Sequence, residues 1–434
     1  MNQSPFISTA FVTVLFSAGL FGGAWAGNLA SDRIKSSYGE LELFARIVSI
    51  VESEYVEERS TDSLIESAIR GIVEDLDPHS AWMSPEEYRN LITDTEGAYE
   101  GIGVEVRTTP NGVLVTKVLN NSPAASSGLL PQDLITSIGD TSSVGLGIGE
   151  VSKLLKGPQG TKVTLLIRRG PNQDSRTLLV TRDRVELPSV HPEGLDHGIG
   201  YYRVIQFQKG TSVELSEAIF TMEKASFNKG IILDLRDNPG GLLEESIDTA
   251  DLFLRDGLIV TTRSRVDGEK VYQATSDDTN FDSPIVVLVN GMSASAAEIV
   301  ASALQDRQRA YLIGTPTYGK GSVQTLYENS DQSALKLTIG KYFTPSGQPV
   351  APKEGRKPDE VIQMPAPASN KSRLTLSIQS NSSIQEEARN EMLSLLDTLE
   401  EDITPTNIDW ERPVKERLAQ DPQLLRAVDY LSKE

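Results

Sequence analysis

The 434-residue chain contains no cysteine and only three histidines, at positions 79, 191 and 197. Without cysteine there is no disulfide, no thiolate nucleophile, no cysteine-based metal site and no lipid attachment through a thiol. The histidines do not stand in a spaced ligand motif such as H-E-x-x-H, so the sequence predicts no metal site. If the chain is an enzyme, its proton-transfer groups are expected to be lysine, aspartate or glutamate.

Basic residues are also in deficit, because 41 Lys and Arg stand against 61 Asp and Glu and give a formal net charge of −20. This balance opposes binding to phosphate backbones, so nucleic acid is not an expected partner. The chain is nevertheless long and apolar enough for two or three domains, each with its own core.

An uncharged apolar run precedes the bulk of the chain and ends in Ala24-Trp25-Ala26. The small-x-small ending predicts a signal peptide over residues 1–26 that is cleaved on export, and hence a protein that acts outside the cytoplasm. The run lacks the basic residues that usually precede such a segment, and it is about long enough to cross a bilayer. An uncleaved anchor with membrane association is therefore the alternative.

Hydrophobic periodicity divides the remainder into four segments. Residues 27–95 carry apolar positions at helical spacing, and residues 96–186 form short alternating strands broken by one helix. Residues 187–362 alternate buried-type strands such as IVVLV with amphipathic helices, which indicates an α/β domain whose sheet is covered on both faces. Residues 363–434 begin as a polar, proline-containing linker and end in helical patterns.

Two strand-to-helix junctions in the α/β segment have the composition of a reactive site. In LDLRDNPGGLLEES, Gly240 and Gly241 allow backbone N–H groups to approach an anion closely. In VLVNGMSASAAEIV, small residues sharpen a turn that places Ser293 or Ser295 at a helix N-terminus. Sites in α/β sheets form at such strand ends, so these junctions are candidates for one shared site.

Ser295 has two interpretations. With Glu298 it forms the capping-box pattern S-x-x-E, in which the serine merely caps the helix. In the functional interpretation it is a nucleophile at the positive end of the helix dipole. The backbone N–H of Ala296, with that of Gly240 or Gly241, would then bind the oxyanion.

Residues 314–321, GTPTYGKG, match the pattern of a phosphate-binding loop except that the final hydroxyl residue is replaced by glycine. The SVQTLY that follows them alternates like a strand, whereas a phosphate-binding loop is followed by a helix. The other interpretation is a catalytic lysine. Flanking glycines allow Lys320 to be buried, and burial lowers the pKa of a lysine so that its amine can accept a proton. Gln324, on the same strand face, could orient that amine. A solvated loop lysine is the interpretation without function.

These motifs together resemble the carboxyl-terminal processing proteases, the S41 family of serine peptidases with a Ser-Lys dyad and an embedded PDZ domain, in their bacterial periplasmic form. The likeness covers residues 38–362 and rests on SASAAEI, GKGSVQ and LRDNPGG in the family's order. It implies a nucleophile, a base, an amide that orients the base, and oxyanion-hole N–H groups: Ser295, Lys320, Gln324, Gly240, Gly241 and Ala296. Asp306 occupies a position where the family carries an acid, and we interpret it as structural.

YEGIGVEV and NSPAASSGLLPQDLITSIGD resemble the carboxylate-binding loop and core of a PDZ domain. The resemblance implies that backbone N–H groups of Ile102, Gly103 and Val104 capture the terminal carboxylate of a protein with a nonpolar C-terminus. The bound segment would add as a strand beside the loop.

The resemblance therefore implies a multidomain α/β fold, in which a ClpP/crotonase-like S41 core (187–362) carries an inserted PDZ domain (96–186) and helical extensions (27–95 and 363–434). It implies an exported endopeptidase that acts through an acyl-enzyme without metal or cofactor. An adaptor lipoprotein and a homo-oligomer are further implied partners. The alternative is a noncatalytic PDZ scaffold that binds peptides and in which Ser295 only caps its helix.

Overall fold

The computed structural model describes residues 39–170, 174–275, 281–350, 355–364, 408, 410 and 412–433. The predicted signal peptide and the helical pattern within residues 383–401 lie outside these ranges. Contacts divide the chain into two compact units, one made of residues up to Trp82 with Leu335–Leu337 and one of the rest. Across the described ranges, no helix has both the length and the apolar character needed to cross a membrane.

The first unit is helical, as the sequence predicts. Helix α1 covers residues 39–54 and helix α2 covers Thr61–Glu74. Ser60 caps α2, because its side chain accepts a hydrogen bond from the N–H of Ser63 at 3.3 Å. Strand β1, Ala81–Met83, lies after this helix.

The inserted β-rich domain begins after helix α3, Pro85–Glu96, which ends at Gly97 in a left-handed conformation. Strand β2, Ala98–Gly101, pairs antiparallel with β9, Asp183–Glu186. The chain therefore enters and leaves this domain on two adjacent strands, which is the geometry that an insertion requires. Between them lie β3 Val104–Thr109, β4 Gly112–Val118, α4 Pro123–Ser126, β5 Leu134–Ile138, β6 Thr141–Ser142, α5 Ile148–Leu155, β7 Lys162–Arg169 and β8 Asp174–Thr181.

The inserted domain has its own apolar core. Its sheet has the order β3-β4-β5-β7-β8, with β6 paired to β5. Strand β7 alternates between exposed and buried residues, and its buried Val163, Leu165 and Ile167 face the core that also contains Val151 of α5. This is the period-two burial that the sequence pattern predicts for a sheet with one solvated face.

The second domain is built on a six-stranded sheet of order β10-β11-β12-β15-β16-β19. The β10–β11 pair is antiparallel and the other pairs are parallel. Its strands are β10 Val190–Leu195, β11 Ile199–Val204, β12 Gly230–Asp234, β15 Ile285–Val289, β16 Ala310–Gly314 and β19 Glu360–Val361. Its helices are α6 Thr211–Lys224, α7 Leu243–Asp251 and α8 Ala296–Asp306, and a 3₁₀ turn spans Asp196–Gly198. Outside this sheet lie β13 Leu258–Ser264, β14 Gly268–Gln273, β17 Ser322–Glu328 and β18 Ala334–Phe343.

The continuous apolar strands of this sheet are buried on both faces. Ile231 and Leu233 of β12 belong to the core formed with α6, α7 and α8, whereas Ile232 points to a second core on the opposite face. That second core is closed by helices α9, Val414–Arg417, and α10, Pro422–Leu431. The helical pattern at the end of the sequence thus forms a layer against the sheet of the second domain.

The contribution of this layer can be measured at adjacent leucines of α10. Leu424 is fully buried and Leu425 is 51% exposed. We expect Leu424→Ala to lower the free energy of unfolding by about 3 kcal/mol, because it leaves a cavity between helix and sheet, whereas Leu425→Ala changes it by less than about 1 kcal/mol. Urea unfolding of both variants measures the difference, and equal effects would show that α10 is not packed as described.

Candidate active site

The three motifs identified in the sequence come after three adjacent strands. The LRDNPGG loop comes after β12, the SASAAEI turn comes after β15, and the GTPTYGKG loop starts at the end of β16. These strands are neighbours and run parallel. Since the carboxyl ends of parallel strands meet at one edge of a sheet, the fold brings Gly240, Ser295 and Lys320 to the same edge.

Ser295 lies immediately before α8 in a strained backbone conformation, with φ +56° and ψ −113°. Non-glycine residues rarely adopt such angles, and they are found where surrounding structure holds them in place. The N–H of Glu298 donates to the backbone carbonyl of Ser295 at 2.9 Å, and the serine side chain makes no cap bond to the helix. The hydroxyl is therefore not used for the capping role that the S-x-x-E pattern suggests.

Ser293 has a structural role in the same turn. Its hydroxyl donates to the carbonyl of Leu235 at 2.7 Å and accepts from the N–H of Asn290 at 2.9 Å. The side chain is fully buried. Both bonds close the turn after β15, so the geometry favours Ser295 as the reactive hydroxyl of the pair.

Gly240 and Gly241 pack against neighbouring backbone with no room for a side chain. A Cβ at Gly240 would lie 2.8 Å from Cβ of Ser295, and a Cβ at Gly241 would lie 2.1 Å from the carbonyl oxygen of Phe207. Both glycines also have positive φ, at 104° and 143°. The Gly240 N–H donates to Oδ1 of Asn238 at 2.8 Å. The loop thus borders the serine turn, residues 290–295, and one of its N–H groups is directed at Asn238.

The loop that carries Lys320 is hydrogen-bonded through its backbone to the serine turn. The Tyr318 N–H donates to the carbonyl of Ser293 at 3.0 Å. On the other side, a Cβ at Gly321 would lie 2.0 Å from the carbonyl oxygen of Val350. Lys320 itself is half-buried. The loop leads into strand β17, whereas a phosphate-binding loop opens a helix, so the nucleotide interpretation of GTPTYGKG is disfavoured.

One buried carboxylate joins the serine turn to the lysine loop, residues 314–321. Glu298 is fully buried on the first turn of α8. Its Oε2 accepts the backbone N–H groups of Ser295 at 2.9 Å and Lys320 at 2.8 Å. Its Oε1 accepts the Gly319 N–H at 2.7 Å and the Thr317 hydroxyl at 2.5 Å. Sequence reasoning found Glu298 only as a capping residue and missed its link to the lysine loop.

Tyr342 is a second residue that the sequence did not reveal. Its N–H donates to the carbonyl of Gly321 at 2.9 Å, which places it beside the lysine loop, and it is 6% exposed. Burial raises the pKa of Tyr342, and a hydrogen-bonding interaction with the side chain of Ser295 offsets part of that rise. The hydroxyl of Ser295 thus has a phenol as its neighbour. No local motif marks Tyr342, because strand β18 brings it to the site from 47 positions along the chain.

Gln324 lies on β17, and its side-chain amide donates to the Ser322 hydroxyl at 2.7 Å and the Ser322 carbonyl at 3.1 Å. A longer contact of 3.5 Å reaches the hydroxyl of Thr338. The amide is therefore held on its own sheet, and its predicted role as the partner of Lys320 stays a prediction.

Asp306, at the end of α8, makes structural contacts. Its carboxylate accepts from Nη2 of Arg356 at 2.5 Å and from the N–H of Ser346 at 2.9 Å. Although burial raises the pKa of Asp306, the bonds from Ser346 and Arg356 outweigh it and hold the pKa below its usual value. These contacts agree with its interpretation as a structural acid.

The predicted carboxylate-binding loop lies between β2 and β3, next to helix α4. The carbonyl of Ile102 accepts the Ala124 N–H at 2.8 Å, and the carbonyl of Gly103 accepts the Leu119 N–H at 3.1 Å. In a trans peptide the carbonyl and the next N–H point in opposite directions. The N–H groups of Gly103 and Val104 therefore point away from the residues that hold the loop.

Tyr99 lies over this loop. Its ring packs so closely on Gly101 that a Cβ there would lie 2.7 Å from Cε2 of the ring, and Nζ of Lys156 lies 5.1 Å from the ring centroid. Burial raises the pKa of Tyr99, and hydrogen bonds from the backbone of Gly103 and Val104 oppose the rise. The phenol hydroxyl thus interacts with two of the three predicted carboxylate ligands.

Comparisons with known proteins agree with this architecture. Residues 198–362 match peptidase family S41, and residues 114–169 match the PDZ domain. The carboxy-terminal-processing protease of Bartonella bacilliformis is 37% identical over 362 residues, which cover 82% of this chain and 83% of that protein. The carboxy-terminal processing protease CtpA of Bacillus subtilis is 35% identical and covers 79% of this chain and 71% of its own. The solved photosystem II D1 C-terminal processing protease aligns at 27% identity and a TM-score of 0.42, covering 74% and 94% of the two chains.

The fold and the site define an α/β serine-type peptidase that carries a PDZ domain. The chain belongs to peptidase family S41 and, within it, to the carboxy-terminal processing proteases of the CtpA type. It is therefore an enzyme and not the noncatalytic scaffold that the sequence alone left open.

The role of the shared carboxylate can be tested at Glu298. Glutamine keeps the shape but replaces one acceptor oxygen by an N–H₂ group, which in either orientation faces at least one backbone N–H group. We expect Glu298→Gln to lower kcat at least about 100-fold and to lower stability by about 2 kcal/mol or more. Steady-state cleavage of an unfolded protein and thermal unfolding measure the two effects.

Glu245→Gln is the matched control for this variant. The Glu245 carboxylate accepts the N–H of Gly210 at 2.6 Å and that of Ser212 at 3.0 Å, and so holds the start of α6 instead of the candidate site. It is expected to lose stability with a smaller fall in kcat, because its carboxylate acts on the candidate site indirectly, through the segment before α6. An equal loss of kcat in both variants would show that Glu298 contributes only to folding.

Proposed function

We propose that the chain is an exported serine endopeptidase that binds protein C-termini in its PDZ domain and cleaves through a Ser295–Lys320 dyad. The observation that carries the proposal is the shared carboxylate of Glu298, which accepts the backbone N–H groups of both residues at 2.9 and 2.8 Å. Because the serine turn and the lysine loop are bonded to the same carboxylate, the distance between them stays constant, as proton transfer requires.

In this mechanism Ser295 attacks the peptide carbonyl while Lys320 takes its proton, with Gln324 orienting the amine. The backbone N–H of Ala296, the first residue of α8, and that of Gly240 or Gly241 stabilise the oxyanion. Lys320 returns the proton to the leaving amine, and water then hydrolyses the acyl-enzyme. These roles call for no metal or cofactor.

Peptide binding is proposed to complete the site. The segment before α6 contacts helix α3, which leads into the PDZ domain, because the Lys209 N–H donates to the carbonyl of Thr95 at 3.0 Å. The same segment contacts the proposed oxyanion loop, residues 236–241, because the Phe207 N–H donates to the carbonyl of Gly240 at 2.9 Å. A shift of the PDZ domain can therefore reach Gly240, whose N–H must leave Asn238 before it can bind an oxyanion.

The PDZ domain is proposed to recognise the free carboxylate and nonpolar end of a protein. Strand β3 lies at the end of its sheet order, so its outer edge suits addition of a peptide strand. The N–H groups of Ile102, Gly103 and Val104 would receive the carboxylate. Partly buried apolar residues of β3 and α5, among them Val106 and Leu154, suit an apolar terminal side chain.

The wider setting of the enzyme is also a proposal. The apolar N-terminal run supports export to the periplasm with removal of residues 1–26, or retention as a membrane anchor. An adaptor lipoprotein and self-assembly are proposed from the resemblance to bacterial relatives. The predicted boundaries at residues 95/96, 186/187 and 362/363 stand as proposed domain limits.

The dyad is tested by cleavage of an unfolded model protein with the chain from residue 27. We expect Ser295→Ala and Lys320→Ala each to lower kcat at least about 10³-fold, because each removes a group that acts only in the reaction. Ser302→Ala is the control, since Ser302 is buried on the same helix and its hydroxyl has no partner among the described residues. Cleavage by Lys320→Ala at the wild-type rate would rule out Lys320 as the base.

The carboxylate loop is tested at Tyr99. Its hydroxyl must give up the N–H groups of Gly103 and Val104 when a carboxylate binds, so we expect Tyr99→Phe to tighten peptide binding about three- to tenfold. Fluorescence anisotropy with an apolar C-terminal peptide measures the Kd. The same peptide with an amidated C-terminus should bind weakly to both forms, and weaker binding of the free peptide to Tyr99→Phe would instead make the hydroxyl part of the site.

A further inference from the structure

The end of the chain makes direct contacts with the loop that is proposed to form the oxyanion hole. Arg236, in the LDLRDNPGG motif, is fully buried. Its guanidinium contacts Asp234 of β12, with Nη2 to Oδ2 at 2.6 Å. It also contacts Asp421 before α10, with Nη1 to Oδ1 at 2.9 Å and Nη2 to Oδ2 at 2.8 Å. A third contact runs from Nη1 to Oε1 of Gln423 at 3.0 Å. A buried cation needs such partners, so the start of α10 supplies one of the two carboxylates that hold Arg236 in place.

The next residue of the loop is held by Trp410. Its indole Nε1–H donates to Oδ2 of Asp237 at 3.1 Å. Asp237 has a φ of +59°, a left-handed conformation that is uncommon for residues other than glycine and is most accessible to asparagine and aspartate. The other carboxylate oxygen of Asp237 accepts Nδ2 of Asn290 at 2.8 Å. Trp410 is itself fixed by Arg203, whose Cζ lies 3.6 Å from the ring centroid.

Both contacts lie only a few residues before the backbone groups that would bind the oxyanion. The backbone carbonyl of Asn238, the residue after Asp237, accepts the Ala294 N–H at 2.9 Å and so connects the loop to the serine turn. Gly240 then borders Ser295. Because this short loop is anchored at several successive residues, a shift at Arg236 or Asp237 moves the N–H donors relative to the serine. Misplacement of such donors by about 1 Å costs roughly 100-fold in rate.

We propose that Trp410 and Asp421 are positioning residues that anchor the first residues of the oxyanion loop, residues 236–241, and so set the position of its N–H donors relative to Ser295. The proposal rests on the proposed function, because it takes Gly240 or Gly241 as an oxyanion donor. It gives the C-terminal segment a part in the reaction beyond closing the second core. The two residues reach the loop from different parts of that segment, so each can be changed without removing the other.

Two conservative variants and one control test the proposal in the full chain. Asp421→Asn removes the charge facing Arg236 but keeps a side chain that caps α10 as well as aspartate does. Trp410→Phe removes the indole N–H and keeps a ring on Arg203. Arg426→Gln is the control, because it breaks the ion pair of α10 with Glu360 at 2.9 Å without touching the loop.

The kinetic result should separate transition-state from ground-state binding. We expect kcat of Asp421→Asn and Trp410→Phe to fall about tenfold or more with KM changed less than about twofold. The affinity of a peptide aldehyde, which forms a tetrahedral adduct in the oxyanion hole, should fall in proportion to kcat/KM. Arg426→Gln should keep the wild-type kcat. Wild-type kcat in both loop variants, or an equal fall in Arg426→Gln, would overturn the proposal.

Hydrogen exchange gives a readout that does not depend on activity. Backbone amides of residues 235–242 should exchange faster in Asp421→Asn and Trp410→Phe than in the wild type and in Arg426→Gln. Unchanged exchange in the loop variants would overturn the proposal. If the wild type fails to cleave, the proposed function is what fails, and the exchange experiment still decides whether the C-terminal residues hold the loop.

Discussion

The four hydrogen bonds on the Glu298 carboxylate are the interaction on which the rest of the site depends. Two flexible, glycine-containing loops leave neighbouring strands, and local sequence preferences alone would not fix their separation. The carboxylate accepts backbone N–H groups from both loops, so it fixes the main chain and does not occupy the side chains of Ser295 and Lys320, to which the proposed mechanism assigns the reaction. Because the carboxylate is buried, loss of one of these bonds is costly: an N–H that lost its acceptor there would have no water to replace it.

The sheet explains why these loops meet. Strands β12, β15 and β16 run parallel side by side, and each delivers one loop to the same edge. A parallel sheet needs cover on both faces. Helices α6 to α8 supply one face, and α9 and α10, from the end of the chain, supply the other. The last residues of the sequence are therefore needed to complete the scaffold that positions residues far earlier in the chain.

Sequence reasoning succeeded where the determining interactions are local. Gly240, Gly241 and the apolar strand before them form one continuous motif, and the alternation after Lys320 was enough to predict a strand. It could not choose between Ser293 and Ser295 from the turn alone, because the choice depends on the carbonyl of Leu235, which lies after another strand. Tyr342, Trp410 and Asp421 left no motif at all. Their roles arise from contacts between segments that only the folded chain brings together.

The proposed oxyanion loop is contacted both by the segment before α6 and by the C-terminal segment. The segment before α6 contacts it at Gly240 and contacts Thr95 of helix α3, which leads into the PDZ domain. The C-terminal segment contacts it at Arg236 and Asp237. The serine turn and the lysine loop, by contrast, share the fully buried Glu298 carboxylate, whose four acceptor bonds come from neither segment. Under the proposed mechanism, a shift of the PDZ domain would therefore act first on Gly240, while the Glu298 carboxylate holds the backbone of Ser295 and that of Lys320 together.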